Sequence, residues 1–125
     1  MDQLLSIACF AVLGAYARYG QSRLVQRWVG RGFPYATLSI NLMGSLLMGL
    51  LFFATAGRMD PVLRTGLLTG GLGSYTTFST FSLEVVTLLE DRELAKAAAY
   101  ALVSVLGGVA AAALGAVLAR AWGVL

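Results

Sequence analysis

GGLGSYTTFSTFSLE, residues 70–84, places three glycines, three serines, three threonines, two phenylalanines and a glutamate inside a strongly apolar chain. In a surface loop that mixture would be ordinary. Here it falls within Thr65–Leu83, a run with no charged residue. Gly70, Gly71 and Gly73 weaken a helix, and Ser74, Thr76 and Thr77 carry hydroxyls that compete for backbone hydrogen bonds. The stretch therefore predicts a helix that is interrupted part-way along. Within a membrane, irregular backbone is tolerated only when it is buried in protein or lines a cavity. Interrupted helices are also how membrane proteins build ion sites, with carbonyls toward cations and helix N-termini toward anions.

The membrane setting follows from the rest of the chain. Of its 125 residues 58% are hydrophobic and only 12% are charged, against an average of roughly 25% charged. Mean hydropathy is +0.79. Besides Thr65–Leu83, the runs Gly32–Gly57 and Ala97–Ala119 carry no charge, and neither does the shorter Gln3–Ala17. A helix crosses a bilayer core with about 20 apolar residues. The expectation is one all-α membrane domain over residues 1–125, with four transmembrane helices at about 3–28, 33–57, 61–90 and 94–122, the third broken. The opening Met1-Asp2 lacks the positive region of a cleavable signal peptide, so the first helix is expected to remain in the mature protein.

Charge and cysteine usage narrow the function. A single cysteine, Cys9, excludes an intrachain disulfide and a thiolate metal cluster. The net charge of +3 comes from basic residues at helix ends, where anionic lipid headgroups explain them without nucleic acid. Arg23, Arg27, Arg31, Arg92 and Lys96 make five on one side; Arg58, Arg64 and Arg120 make three on the other. So small a bias fits insertion in both directions as well as one fixed orientation, and charge alone leaves both open. Insertion both ways round would permit an antiparallel homodimer. Four short helices scarcely enclose a polar path, whereas eight can.

In the fourth helix Gly107, Ala111 and Gly115, with Gly108, Ala112 and Ala116 beside them, form stripes of small residues. Ser45 and Gly49 do the same in the second, next to Gly44. These are packing signals. Asn41 in the second helix needs a partner or water, and an interhelical hydrogen bond would satisfy it. The Ser104 hydroxyl on the fourth helix can bond back to its own helix backbone, and Tyr100, one turn earlier, shares its face. Arg18 either snorkels to the interface or makes an electropositive vestibule that concentrates anions. Glu84 anchors the end of the third helix or pairs with a basic residue, and is expected to take no part in transport. Phe78 and Phe81 share a face of the helix beyond the break, flanked by rows of hydroxyls. Hydroxyls, the Asn41 amide and the positive edges of phenyl rings suit a small anion. The chain has no histidine, and its apolar part has no acidic pair, so metal hydrolysis and acid–base catalysis lack candidates. The residues describe a permeation path and not an enzyme.

The run TTFSTFSLE after glycines resembles the signature of the Fluc (CrcB) fluoride channel family. GAYARY (residues 14–19) is similar to that family's first-helix motif and TLSINLMGSLLMG (residues 37–49) to its second. With Tyr100 and Ser104 in the fourth helix, the resemblance covers essentially the whole chain. It implies an antiparallel, dual-topology homodimer in the bacterial cytoplasmic (inner) membrane, with two pores that passively export fluoride and relieve its toxicity. It also implies a structural sodium ion at the dimer centre, held by backbone carbonyls of Gly73 and Thr76. The implied pore residues are Asn41, Thr77, Phe78, Ser79, Thr80, Phe81, Tyr100 and Ser104, with Arg18 near the vestibule. Ser74-Tyr75 stands where that family more usually has small or apolar residues. Two other readings remain. A small multidrug exporter of similar architecture would need an acid in its first helix, where this chain has Arg18 instead. A non-transporting assembly subunit would need only the small-residue stripes.

Overall fold

In the computed structural model, which describes residues 2–123, the chain forms four helical rods and, among the described residues, no strand. Helix α1 spans Gln3–Val29; the Asp2 carboxylate accepts a hydrogen bond from the Leu4 N–H at its start, and Gly30 at φ 71° ends it. After Pro34, α2 runs through the apolar segment Tyr35–Ala54. Asp60 caps the next rod, accepting from the N–H groups of Val62 and Leu63 at 3.0 and 3.1 Å, with Pro61 in the first turn, where a missing N–H costs nothing.

That third rod has four parts. Helix α3, Pro61–Thr65, widens into a π-helical segment, Gly66–Leu72, and tightens again in the short α4, Gly73–Tyr75. Thr76 and Thr77 are then extended, with φ/ψ of −79°/160° and −150°/115°. Helix α5, Phe78–Glu90, follows, with Thr77 as its N-cap. A tight turn containing Arg92 at φ 59° leads into the last rod, α6, Leu94–Ala121.

Within the stretch the glycines and the threonines act differently. The run weakens the helix by widening it, and the chain leaves helical geometry only at the two threonines beyond. The wide turns lie flat against α1 because neither side has a Cβ in the way. A Cβ on Gly70 would collide with the Ile7 carbonyl, and one on Gly14 with the Gly71 carbonyl and the Ser74 hydroxyl. Ser6, fully buried on α1, donates to the Val62 carbonyl at 3.0 Å and fixes the start of the same contact.

Helices α2 and α6 also pack closely along their length. The small-residue stripes meet there: a Cβ on Gly49 would strike the Ala112 carbonyl, and one on Gly115 the Leu46 carbonyl. Arg64 closes the end of α2, donating from Nη2 to the Phe52 carbonyl at 2.8 Å and from Nε to Thr55 Oγ1 at 3.1 Å. Its guanidinium also lies 4.8 Å from the Phe52 ring centroid. The buried core is small, and its packed cluster is Ile40, Leu68, Leu72 and Tyr75.

Much apolar surface stays outside that core. On α6, Leu102, Leu106, Val109 and Val117 are all exposed. A helix apolar on every side is not the surface helix of a soluble domain, which keeps a polar face for water. Among the described residues, α2 and α6 are the helices long and apolar enough to cross a membrane. Helix α1 is about 40 Å long at 1.5 Å per residue but carries Arg18, Arg23 and Arg27 within its span.

Candidate functional site

The interruption at Thr76–Thr77 is held from α2. The Asn41 side chain donates from Nδ2 to the Thr77 carbonyl at 2.9 Å, and its Oδ1 accepts from the Thr77 N–H at 2.8 Å. One amide thus satisfies both backbone groups of one extended residue, as a neighbouring strand would. The Thr77 hydroxyl is a second hub. It accepts from the Thr80 N–H at 3.2 Å, capping α5, and donates to the Thr80 hydroxyl at 3.0 Å. Ser79 Oγ lies 3.3 Å from it.

These bonds release two carbonyls. In a continuous helix the Thr77 N–H would close on the Gly73 carbonyl, and the Thr80 N–H on the Thr76 carbonyl. Both N–H groups are engaged elsewhere, so the oxygens of Gly73 and Thr76 lose their helical partners. Gly73 is exposed, and a Cβ on it would meet nothing within 4 Å. No group of three His, Cys, Asp or Glu side chains that could hold a metal occurs among the described residues.

Beside the break lies a cavity of about 390 Å³, open on one side, which brings Asn41, Thr77, Phe78, Phe81 and Ser104 together. Gly44, Ser45 and Met48 of α2, Thr76 of the break, and Val105 and Ala112 of α6 complete its wall. The Ser104 hydroxyl is buried and, among the described residues, has no hydrogen-bond partner. Buried hydroxyls without partners are rare in folded proteins and call for an explanation. Phe78 is 79% exposed, while Phe81 is half-buried with its ring centroid 5.9 Å from that of Phe78.

A row of rings leads away from this cavity. Phe81 meets Tyr100 edge to face at 5.1 Å, and Tyr100 meets Phe33 at 5.7 Å in the same manner. Phe33 lines a second cavity of about 590 Å³ at the α1–α2 and α5–α6 loop end, with Arg31, Lys96, Thr37 and Glu84 also in its wall. Tyr100 has no exposed surface. It sits between the two cavities and donates its hydroxyl to Glu84 at 3.4 Å. Thr37 donates to the other oxygen of the same carboxylate at 2.5 Å.

Not every residue read from the sequence reaches the site. Ser79 and Thr80 are exposed on the first turn of α5, bonded within the Thr77 cluster, and do not line the cavity. Tyr100 stands behind Phe81 and not in the cavity wall. Arg18 is half-buried on α1 and lines neither cavity. Glu84 accepts from two hydroxyls instead of pairing with a basic residue. Thr37 was missed, although it lies one helical turn before Asn41 on α2 and so on the same side.

The family model described as CrcB-like protein, Camphor Resistance (CrcB), matches residues 5–116. This chain belongs to the CrcB family. A relative from Acidithiobacillus ferrooxidans, named fluoride-specific ion channel FluC, is 61% identical over 112 residues, covering 88% of this chain and 90% of that protein. Proteins of the same name from Magnetococcus marinus and Geobacter metallireducens are 46% and 47% identical, over 94% and 96% of this chain and 98% of each relative. These CrcB relatives are named as ion channels, not enzymes.

Proposed function

We propose that the chain is a fluoride channel of the bacterial cytoplasmic membrane, crossing it several times and exporting fluoride passively. The observation that carries this reading is the Ser104 hydroxyl, buried and, among the described residues, without a partner, in the wall of a cavity that also holds the Phe78 and Phe81 rings, the Ser45 and Thr77 side chains and the Asn41 amide among apolar neighbours. Fluoride is small and strongly hydrated, so a path must offer close donors in place of lost water. Ser104 and the second N–H of the Asn41 amide can donate, and phenyl rings present a positive edge. The names of the CrcB relatives support the same ion. The route runs from the loop-end cavity, past Tyr100 and Phe81, to the break.

In this reading two antiparallel copies make the working unit, with one path in each. The exposed apolar faces of α1 and α6 are then covered by lipid and by the second copy. The carbonyls of Gly73 and Thr76, freed by the Asn41 and Thr77 side chains, fit a cation shared between copies. They are oxygen donors, which suit a hard cation such as sodium. A cation bound by them would hold the break in shape and raise the local potential for anions.

A multidrug exporter would need an acid on α1, and α1 contains none. An assembly subunit would explain the α2–α6 packing but leaves Ser104 unexplained. The test is efflux from liposomes loaded with potassium fluoride, started by valinomycin and followed with a fluoride electrode. Rapid fluoride release beside a nearly silent chloride control supports the channel. No release from a folded, reconstituted protein would put the assembly subunit in its place.

A further inference from the structure

Tyr75 is the residue of the opening stretch that the path itself does not use. It immediately precedes the break, is only 7% exposed, and lines neither cavity. Its ring belongs to the core with Ile40, Leu68 and Leu72, beside Gly44. A buried phenol needs a partner for its hydroxyl. Here it donates to Gln21 Oε1 on α1. Gln21 in turn donates from Nε2 to Ser39 Oγ on α2 at 3.2 Å, and Ser39 donates to the Ala36 carbonyl at 2.8 Å.

The neighbours of Tyr75 are tied as well. Ser74 donates to the Ala11 carbonyl on α1 at 2.8 Å, and Thr77 is clamped by Asn41 of α2. Four consecutive residues thus carry three anchors to two different helices. The Tyr75 anchor is the one that couples α1 and α2 to each other as well as to the break, because Gln21 uses both ends of its amide.

We infer that the Tyr75–Gln21–Ser39 chain sets the position of the break against α1 and α2, so that Tyr75 and Gln21 are positioning residues for the anion path. The inference rests on the channel reading above. It explains why a phenol is accommodated beside carbonyls proposed to bind a cation: the side chain is committed to the core, and only its backbone enters the break.

The test compares wild type, Tyr75→Phe, Gln21→Leu and the double variant in the efflux assay, each normalised to folded protein, with chloride efflux measured in parallel. Ile40→Val, a trim in the same core cluster, is the control. Each single variant is expected to lower fluoride efflux about fivefold, the reach of one lost hydrogen bond. The double variant should be no worse than either single one, because both cut the same link. The fluoride-to-chloride ratio should fall in all three and stay unchanged in Ile40→Val, since mere destabilisation removes active protein without altering selectivity. Single variants that conduct and select as wild type does would overturn the inference while leaving the channel standing. So would effects that multiply in the double variant. A silent wild type would overturn the channel reading itself.

Discussion

Asn41 illustrates how one side chain can hold a site without being spent on its ligand. Its two bonds to Thr77 replace backbone pairing that an extended residue inside a helical bundle cannot otherwise find. Asn41→Leu would orphan a buried N–H and a buried carbonyl, at roughly 1–3 kcal/mol each. Thermal unfolding in detergent should show that loss, with fluoride efflux abolished as well. The sequence offered two readings of Asn41, an interhelical bond or a pore donor, and the bond to Thr77 realises the first while leaving one N–H for the second. Phe78 and Phe81 share a face of α5, as a spacing of three predicts, and both line the cavity with Ser104. Thr37 was not legible, since a threonine near a helix start is unremarkable until Glu84 is brought against it from α5.

Helix by helix, the apolar runs and their charged ends make α2 and α6 readable from composition alone. The third rod was harder, because glycines and hydroxyls both weaken a helix and the sequence cannot say which acts where. Close approach to α1 turns Gly66–Leu72 into π-helix, while Asn41 draws the two threonines out of it. The small-residue stripes conceal a similar inequality. Gly49 and Gly107 look alike in sequence, yet a Cβ on Gly49 meets the Ala112 backbone and one on Gly107 meets side chains, the nearest atom being Leu42 Cδ2 at 3.0 Å. A side chain can rotate away and a carbonyl cannot. Gly49→Val should therefore destabilise the protein by about 3 kcal/mol, the upper end for overpacking, whereas Gly107→Ala should be nearly neutral. Thermal unfolding of the two variants, side by side, checks the difference.

At the scale of the whole molecule, the exposed apolar faces call for lipid or a second copy to cover them. Few hydrophobic side chains are buried among the described residues, and the apolar faces of α1 and α6 are open. The five-to-three distribution of basic residues offers little resistance to inserting either way round. Gly73 belongs to this scale, because within one copy it touches nothing that would resist a side chain. If its carbonyl serves a site shared between two copies, Gly73→Val should fold as one chain yet fail to pair. Chemical cross-linking in detergent micelles should give a dimer band for the wild type and a monomer band for the variant. An unaltered dimer band would remove Gly73 from the contact between copies.

On the proposed function, fluoride passes through the cavity between the break, Phe81 and Ser104. The most direct measurement is fluoride efflux from liposomes carrying Ser104→Ala, matched to wild type for folded protein. Removing an unpartnered buried hydroxyl should leave thermal stability unchanged or slightly higher. Efflux should nonetheless fall at least about tenfold, since a hydrogen bond to a charged group is worth about 1.5–3 kcal/mol. Efflux equal to wild type would mean that the ion takes another route, and that the Ser104 hydroxyl is unpaired for some other reason.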